Sequence, residues 1–451
     1  MTLETRALTS GLFAMNLVPL QVRADLQQYQ NQAKDLVKAF KSGDPDAMRI
    51  VRQHHPRLLG RANTNDRNSV SDSQIRRTGL TTGDAQTVVA RWHGFESWPK
   101  LGKHVDALTQ KNSQVLHFEL AVEAIIAGDV ATLKSLVRAN PKLVRARSTR
   151  EHQATLLHYV GANGVEGYRQ KTPKNAAEVA KILLKAGAEI DADLDYGGRG
   201  RKLYPERRGS TTLGMVATSC HPAEVGVQIQ LLKILVDAGA AVDGIRGGWN
   251  PLVAALHNGR GDAAKYLAKR RARMDLEGAA GAGRLDVVKS FFKKDGSLKP
   301  TATKAQLESG FAWACEYGQT SVVGFLVQKG IDVGAQSHGE TGLHWAAYSG
   351  HSDIVKLLLK RNAPVEVKDQ NFGGTPLGWA LYGWCNPPPE SRPAGYYDVV
   401  KLLIAAGATV DPAWLADPDR ELPLVRKIRD DPRMLAALGG EMGTDQSTPS
   451  A

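Results

Sequence analysis

The sequence predicts an all-α fold, a solenoid of stacked helix pairs with a helical cap at its N-terminal end. Three observations carry this reading. One helix-ending pattern recurs along the chain, and a helix-starting pattern lies upstream of it. The 451 residues are 42% hydrophobic and 23% charged, the balance of a folded chain rather than a disordered one. A helix pair of this kind cannot bury its apolar face alone, so successive pairs must stack.

The elements follow in chain order. Gly11 to Leu20 is mildly apolar but is broken by Asn16 and Pro19 and has no basic leader, so it does not read as a secretory signal. Gly43-Asp-Pro-Asp-Ala47 and Pro56-Arg-Leu58 match Gly128-Asp-Val-Ala-Thr132 and Pro141-Lys-Leu143 at a constant offset of 85. Residues 25–59 therefore read as a helix pair of the repeated type. A polar stretch from Arg61 to Arg77 leads to an amphipathic helix over Asp84–Trp92, a turn, and a second helix reaching Leu101. Residues 1–112 form one helical region on this reading.

The repeat array is expected over residues 113–412. Lys181-Ile-Leu-Leu-Lys-Ala-Gly187-Ala-Glu-Ile-Asp191 returns as Lys233-Ile-Leu-Val-Asp-Ala-Gly239-Ala-Ala-Val-Asp243 and as Lys401-Leu-Leu-Ile-Ala-Ala-Gly407-Ala-Thr-Val-Asp411. The paired aliphatic residues after each lysine make an apolar stripe, and glycine supplies the left-handed residue that stops the helix. The preceding helix starts best in Thr341-Gly-Leu-His-Trp-Ala-Ala-Tyr-Ser-Gly350 and Thr375-Pro-Leu-Gly-Trp-Ala-Leu-Tyr-Gly383. Threonine caps the first amides, proline suits the first turn, and the small alanines let the next helix approach closely.

With a period of roughly 33 residues, this helix–turn–helix–loop unit resembles the ankyrin repeat, and the helical leader resembles that of bacterial ankyrin proteins. Copies centred on Lys134, Lys181, Lys233, Lys265, Lys289, Gly324, Lys356 and Lys401 give about eight repeats, of which those at Lys265 and Lys289 are degenerate. Thr341 to Lys356 is 15 residues, whereas Thr155 to Lys181 and Thr375 to Lys401 are 26. Two repeats thus carry insertions, Val165–Lys174 and Trp384–Gly395, where binding is often elaborated. Residues 413–438 read as capping helices and 439–451 as a flexible tail.

The resemblance implies a groove formed by the loop before each first helix and the variable residues after its Ala-Ala pair. It places His152, Asn163, Trp249, His257, Tyr317, His338, Glu340, Tyr348, Phe372 and Tyr382 there, with Trp249, Tyr348 and Phe372 expected to be exposed. Tyr159, Trp313, Trp345 and Trp379 are expected to pack inward, and His158 and His344 to hydrogen-bond backbone across the repeat. The implied function is protein or peptide binding through the concave face, as a cytoplasmic scaffold or adaptor without chemistry of its own.

The alternative is a small-molecule site or enzyme built in the groove from His152, His257, His338, Glu316, Glu340 and the tyrosines. His338-Gly-Glu340 has HxE spacing, but no HxxxH pair or cysteine knuckle accompanies it, so no metal and no cofactor are expected. P-loop, dinucleotide-glycine and nucleophile-elbow patterns do not occur. The net charge of +12 permits anionic partners without selecting one. Arg199, Arg201, Lys202, Arg207 and Arg208 form a possible anion-binding loop, although nucleic acid is not the expected partner. No apolar run approaches the roughly 20 residues of a membrane span, and Cys220, Cys315 and Cys385 suit a reducing compartment.

Overall fold

The computed structural model describes residues 17, 19–20, 25–58, 71–194, 210–246, 248–388, 391–410 and 423–439. The chain divides into two compact units, 1–254 and 255–451. No helix among the described residues is long and apolar enough to cross a membrane.

The first unit opens with α1 (Leu26–Ser42) and α2 (Pro45–His54). Asp25 caps α1 by accepting from the amide of Gln27, Gly43 closes it at φ 79°, and Asp44 caps α2 through the amide of Ala47. Next come α3 (Asp72–Thr78), α4 (Thr82–Trp92) and α5 (Trp98–Leu108). Ser71 with Gln74 and Thr81 with Asp84 form reciprocal capping boxes that start α3 and α4, so two orphan amides are satisfied at each start. Tyr29, Leu36, Val51, Ile75, Val88 and Leu101 meet in one core.

Helix pairs follow: α6 (Gln114–Ala127) with α7 (Val130–Ala139), a 3-10 turn (Leu156–Gly161) with α8 (Ala176–Lys185), and α9 (Thr212–Thr218), the short α10 (His221–Glu224) and α11 (Gln228–Asp237). The division between units falls within α12 (Pro251–His257). The second unit continues with α13 (Gly261–Lys269), α14 (Leu276–Gly281), α15 (Leu285–Ser290), α16 (Lys304–Glu316) and α17 (Thr320–Gln328). A two-residue hairpin, β1 (Gln336–Ser337) and β2 (Glu340–Thr341), precedes α18 (Gly342–Tyr348) and α19 (Ser352–Leu359). Then come α20 (Pro376–Cys385), α21 (Tyr396–Ala405), α22 (Pro423–Arg429) and α23 (Pro432–Ala437). The described residues are thus almost wholly helical and run as successive helix pairs.

The apolar stripe is narrower than the aliphatic pairs suggest. Leu183, Leu235, Leu358 and Leu403 are fully buried, while the residue before each, Ile182, Ile234, Leu357 and Leu402, is half-buried. The second residue of each pair carries the core. In the second unit these leucines join Val322, Val323, Leu326, Leu343, Ile354 and Leu377 in one continuous cluster.

The first insertion lies between the 3-10 turn and α8, the second starts in the last two residues of α20 and ends at α21, and neither is a simple outward loop. The second folds back on the preceding repeat: Arg392 donates its amide to Ser349 O at 3.0 Å, and the Tyr396 hydroxyl donates to Tyr348 O at 2.7 Å. A Cβ on Gly383 would lie 2.1 Å from Tyr348 O, so only glycine permits this approach.

Candidate functional site

In the second unit the hairpin tip holds His338 at φ 61° and Gly339 at φ 104°. The ring of His338 stacks on Trp313 at 5.9 Å and meets His257 edge-on at the same separation. His338 Nε2 is 3.2 Å from Ser309 Oγ. His257 Nε2 is 2.7 Å from Glu277 Oε1, and Trp313 Nε1 donates to the same oxygen at 2.8 Å. Burial works against ionising Glu277, but hydrogen bonds from His257 and Trp313 outweigh it and hold the carboxyl below its ordinary range. Burial and the neighbouring His257 lower His338. The result is two histidines, a serine and a carboxylate anchored on α12, α14, α16 and the hairpin.

An aromatic row continues from this cluster. Trp313 lies 5.9 Å from Trp345, and Trp345 lies 5.1 Å from Trp379 in edge-to-face geometry, an arrangement aromatic pairs favour. Phe372 is 6.4 Å from Trp379 and is 47% exposed. Asp369 builds the loop that presents it: the carboxylate accepts from the amides of Asn371, Phe372 and Gly374 at 2.8, 2.6 and 2.7 Å. It also accepts from Trp379 Nε1 at 3.0 Å. Glu340 is buried beside this loop and accepts from Asn371 Nδ2 at 2.6 Å. Burial, with Asp369 adding to it, pushes the Glu340 carboxyl up to about 7 despite that bond.

Several expected positions are corrected here. Tyr348 is 2% exposed because Trp345, Trp379 and Tyr382 surround its ring. Tyr317 is buried, with its hydroxyl donating to Leu256 O at 2.5 Å. Glu340 and Glu316 are buried rather than groove-lining. Trp345, expected to pack inward, is only half-buried, as is Tyr382, while His257 and His338 are exposed. His338 and Glu340, despite their HxE spacing, engage different partners.

In the first unit, Trp249 is 53% exposed, and Asn163 is half-buried with its amide donating to Thr218 Oγ1 at 2.9 Å. His152 is buried, against expectation, because it sits at the edge of an ionic cluster. Arg150 reaches Glu119 with two bonds at 2.6 and 3.2 Å and pairs with Glu166. Arg169 reaches Glu119 at 2.6 Å and Glu123 at 2.6 Å. Burial would raise Glu119, but Arg150 and Arg169 hold it down to about 2. Burial works against ionising Glu166 as well, but Arg150, then His152 and Arg169, hold it low. Burial and then Arg150 push His93 down to about 3 and His104 down to about 4, so both are neutral near pH 7.

Glu166, Tyr168 and Arg169 belong to the first insertion, which is therefore drawn into the protein rather than offered as a groove wall. It joins the helical leader, through His93 and Trp92, to the first repeats. The cleft beside Glu119, lined by Gln114, Val115, Phe118, Ala146, Arg147 and Thr149, holds only about 180 Å³, less than an ordinary small-molecule site needs.

The signature histidines are structural. His158 Nδ1 meets the amide and hydroxyl of Thr155, and its Nε2 lies 2.9 Å from Ala192 O. His344 repeats this with Thr341 and with Gly374 O at 3.1 Å. Arg199, Arg201, Lys202, Arg207 and Arg208 lie outside the described residues. Sequence reading missed Glu277 and Asp369. Asp369 had a signal, an acidic residue shortly before Gly373-Gly374-Thr375 that suits a side-chain-closed turn; Glu277 had none.

Residues 276–369 and 311–414 match the family described as ankyrin repeats (3 copies). Palmitoyltransferase Hip14 of Drosophila melanogaster is 36% identical over 112 residues, 24% of this chain and 16% of that protein. The ankyrin repeat and KH domain-containing protein mask-1 of Caenorhabditis elegans is 28% identical over 346 residues, 65% of this chain and 13% of that protein. The chain thus spans less than a fifth of either relative. Both are eukaryotic, and nothing in them supports the resemblance to bacterial proteins. The human ASB11 ankyrin repeat domain superposes with a TM-score of 0.33 at 17% identity, over 64% of this chain and 99% of that one.

Proposed function

From the premise that residues 276–414 are ankyrin repeats, we propose that the chain binds a protein or peptide along the face of its second unit that carries Phe372, Trp345, Tyr382, His257 and His338. The supporting observation is Phe372. A large apolar side chain is left 47% exposed on a loop that Asp369 ties down with three backbone bonds. A rigid aromatic anchor of this kind contributes contact area at little entropic cost. The array over 113–412, with its leader and its capping pair at 413–438, serves as scaffold or adaptor, and the chain supplies no chemistry of its own.

Random peptides displayed against the full chain test this. Selected peptides are expected to lose at least about tenfold in affinity, roughly 1.4 kcal/mol, when Phe372 and Tyr382 are both changed to Ala, with the melting temperature kept within a degree or two. Equal affinity in parent and variant would place the binding surface elsewhere.

One observation favours a second reading, a small-molecule site or enzyme on the same face: the His257–Glu277 pair lies beside the Ser309–His338 pair. That reading requires a metabolite that raises the parent's melting temperature and a turnover abolished by His257→Ala.

A further inference from the structure

The turn after α9 brings together three side chains that have no part in the aromatic face or the ionic cluster. Cys220, His221 and Glu224 each offer one ligand atom, and these atoms all lie within 4.8 Å of one another. Cys220 is the N-cap of α10 and Glu224 its last residue, a spacing of four that places them one helical turn apart, while His221 opens the helix beside Cys220. Cys220 and His221 are half-buried and Glu224 is exposed, which leaves the group reachable from solvent.

The backbone under this group is fixed from two directions. The Gln228 side-chain amide donates to Val216 O at 2.9 Å and to Ser219 O at 3.1 Å. The Ser219 hydroxyl donates to Ala162 O at 3.3 Å. The turn is thus braced by contacts within the protein, the kind of support that keeps donors in place at a metal site.

We propose that Cys220, His221 and Glu224 form a site for a divalent transition metal of the zinc class. One soft sulfur, one imidazole nitrogen and one carboxylate oxygen match that ion's preferences, whereas magnesium and calcium select all-oxygen sets. Three protein donors leave one tetrahedral position for water, the arrangement of an open rather than a closed site. On binding, the Cys220 thiol gives up its proton to solvent and the thiolate takes the metal. The motif Cys-His-x-x-Glu has neither paired-cysteine nor HxxxH spacing, so a linear search passes over it.

The test is titration of the reduced full chain with cobalt(II), followed by displacement with zinc. The expected result is one cobalt per chain, with a thiolate-to-cobalt charge-transfer band and the intense visible bands of four-coordinate cobalt, all removed by stoichiometric zinc. Cys220→Ser is expected to abolish the charge-transfer band. His221→Ala and Glu224→Gln should each weaken zinc affinity at least about tenfold, the scale at which even supporting residues act. Cys385→Ser should change nothing. Circular dichroism of each metal-free variant checks that the fold is intact. No charge-transfer band in the parent, or a band that survives Cys220→Ser, overturns the proposal.

Discussion

At the scale of single residues, the chain separates groups whose roles are written in a local motif from groups whose roles arise only in the fold. His158 and His344 belong to the first kind: a threonine three residues earlier and a carbonyl in the next repeat complete each of them. Glu277 belongs to the second, because its partners lie 20 and 36 residues away and no spacing announces them. Glu340 shows how burial, with a neighbouring carboxylate, changes a group's chemistry. Its ordinary value of 4.5 rises to about 7, so the folded chain holds a proton that the unfolded chain releases. The stabilisation tied to that proton is complete below about pH 4.5 and is lost as pH rises through about 7. Glu340→Gln keeps an acceptor for Asn371 and carries no charge. Denaturant midpoints of parent and variant should therefore converge at pH 5 and diverge by pH 8, the variant being more stable by about 1–2 kcal/mol after allowance for solvent screening. Parallel pH profiles would show that Glu340 is ionised throughout.

At the scale of elements, the helix pairs were legible because their signals are local: threonine caps, glycine stops and an apolar stripe along each second helix. The insertions were not, because an 11-residue excess fixes a length and says nothing of direction. Val165–Lys174 carries Glu166, Tyr168 and Arg169 in five residues, a composition that suits a solvated loop equally well. Only the arrival of Glu119, Arg150 and the leader's His93 turns it into a buried ionic plug. Breaking such a cluster leaves an uncompensated charge, which costs about 3–5 kcal/mol. Arg169→Met should lower stability by that amount in urea titration, whereas Lys171→Met, on the exposed side of the same insertion, should change it by less than about 0.5 kcal/mol. Similar midpoints for the two variants would contradict the buried placement. The aliphatic pairs carry a similar lesson. Both residues look equivalent in sequence, and the helix's rotation against its neighbour decides that Leu358, not Leu357, is the one fully enclosed.

At the scale of the whole molecule, the repeated pattern announced the helix-pair architecture but left the function open, since a fold does not fix a function. Of the groove positions that the resemblance transferred, the second unit leaves Phe372, His257 and His338 exposed and Tyr382 half-buried, while it encloses Tyr317, Glu340 and Tyr348. The transferred geometry treats each repeat as an average one. The departures occur where aromatic neighbours surround a ring, as at Tyr348, or where a hydroxyl finds a backbone carbonyl, as at Tyr317. The proposed docking surface is the aromatic face that remains. A photo-crosslinking amino acid placed at position 372 of the full chain tests this most directly, with the same group at Lys356, exposed on α19, as the control. With a peptide selected by the parent, irradiation should give crosslinked product from position 372 at least about tenfold above that from position 356, and unlabelled peptide should compete it away. Equal yields from the two positions, or a yield at 372 that excess peptide leaves unchanged, would contradict the assignment of this face as the binding surface.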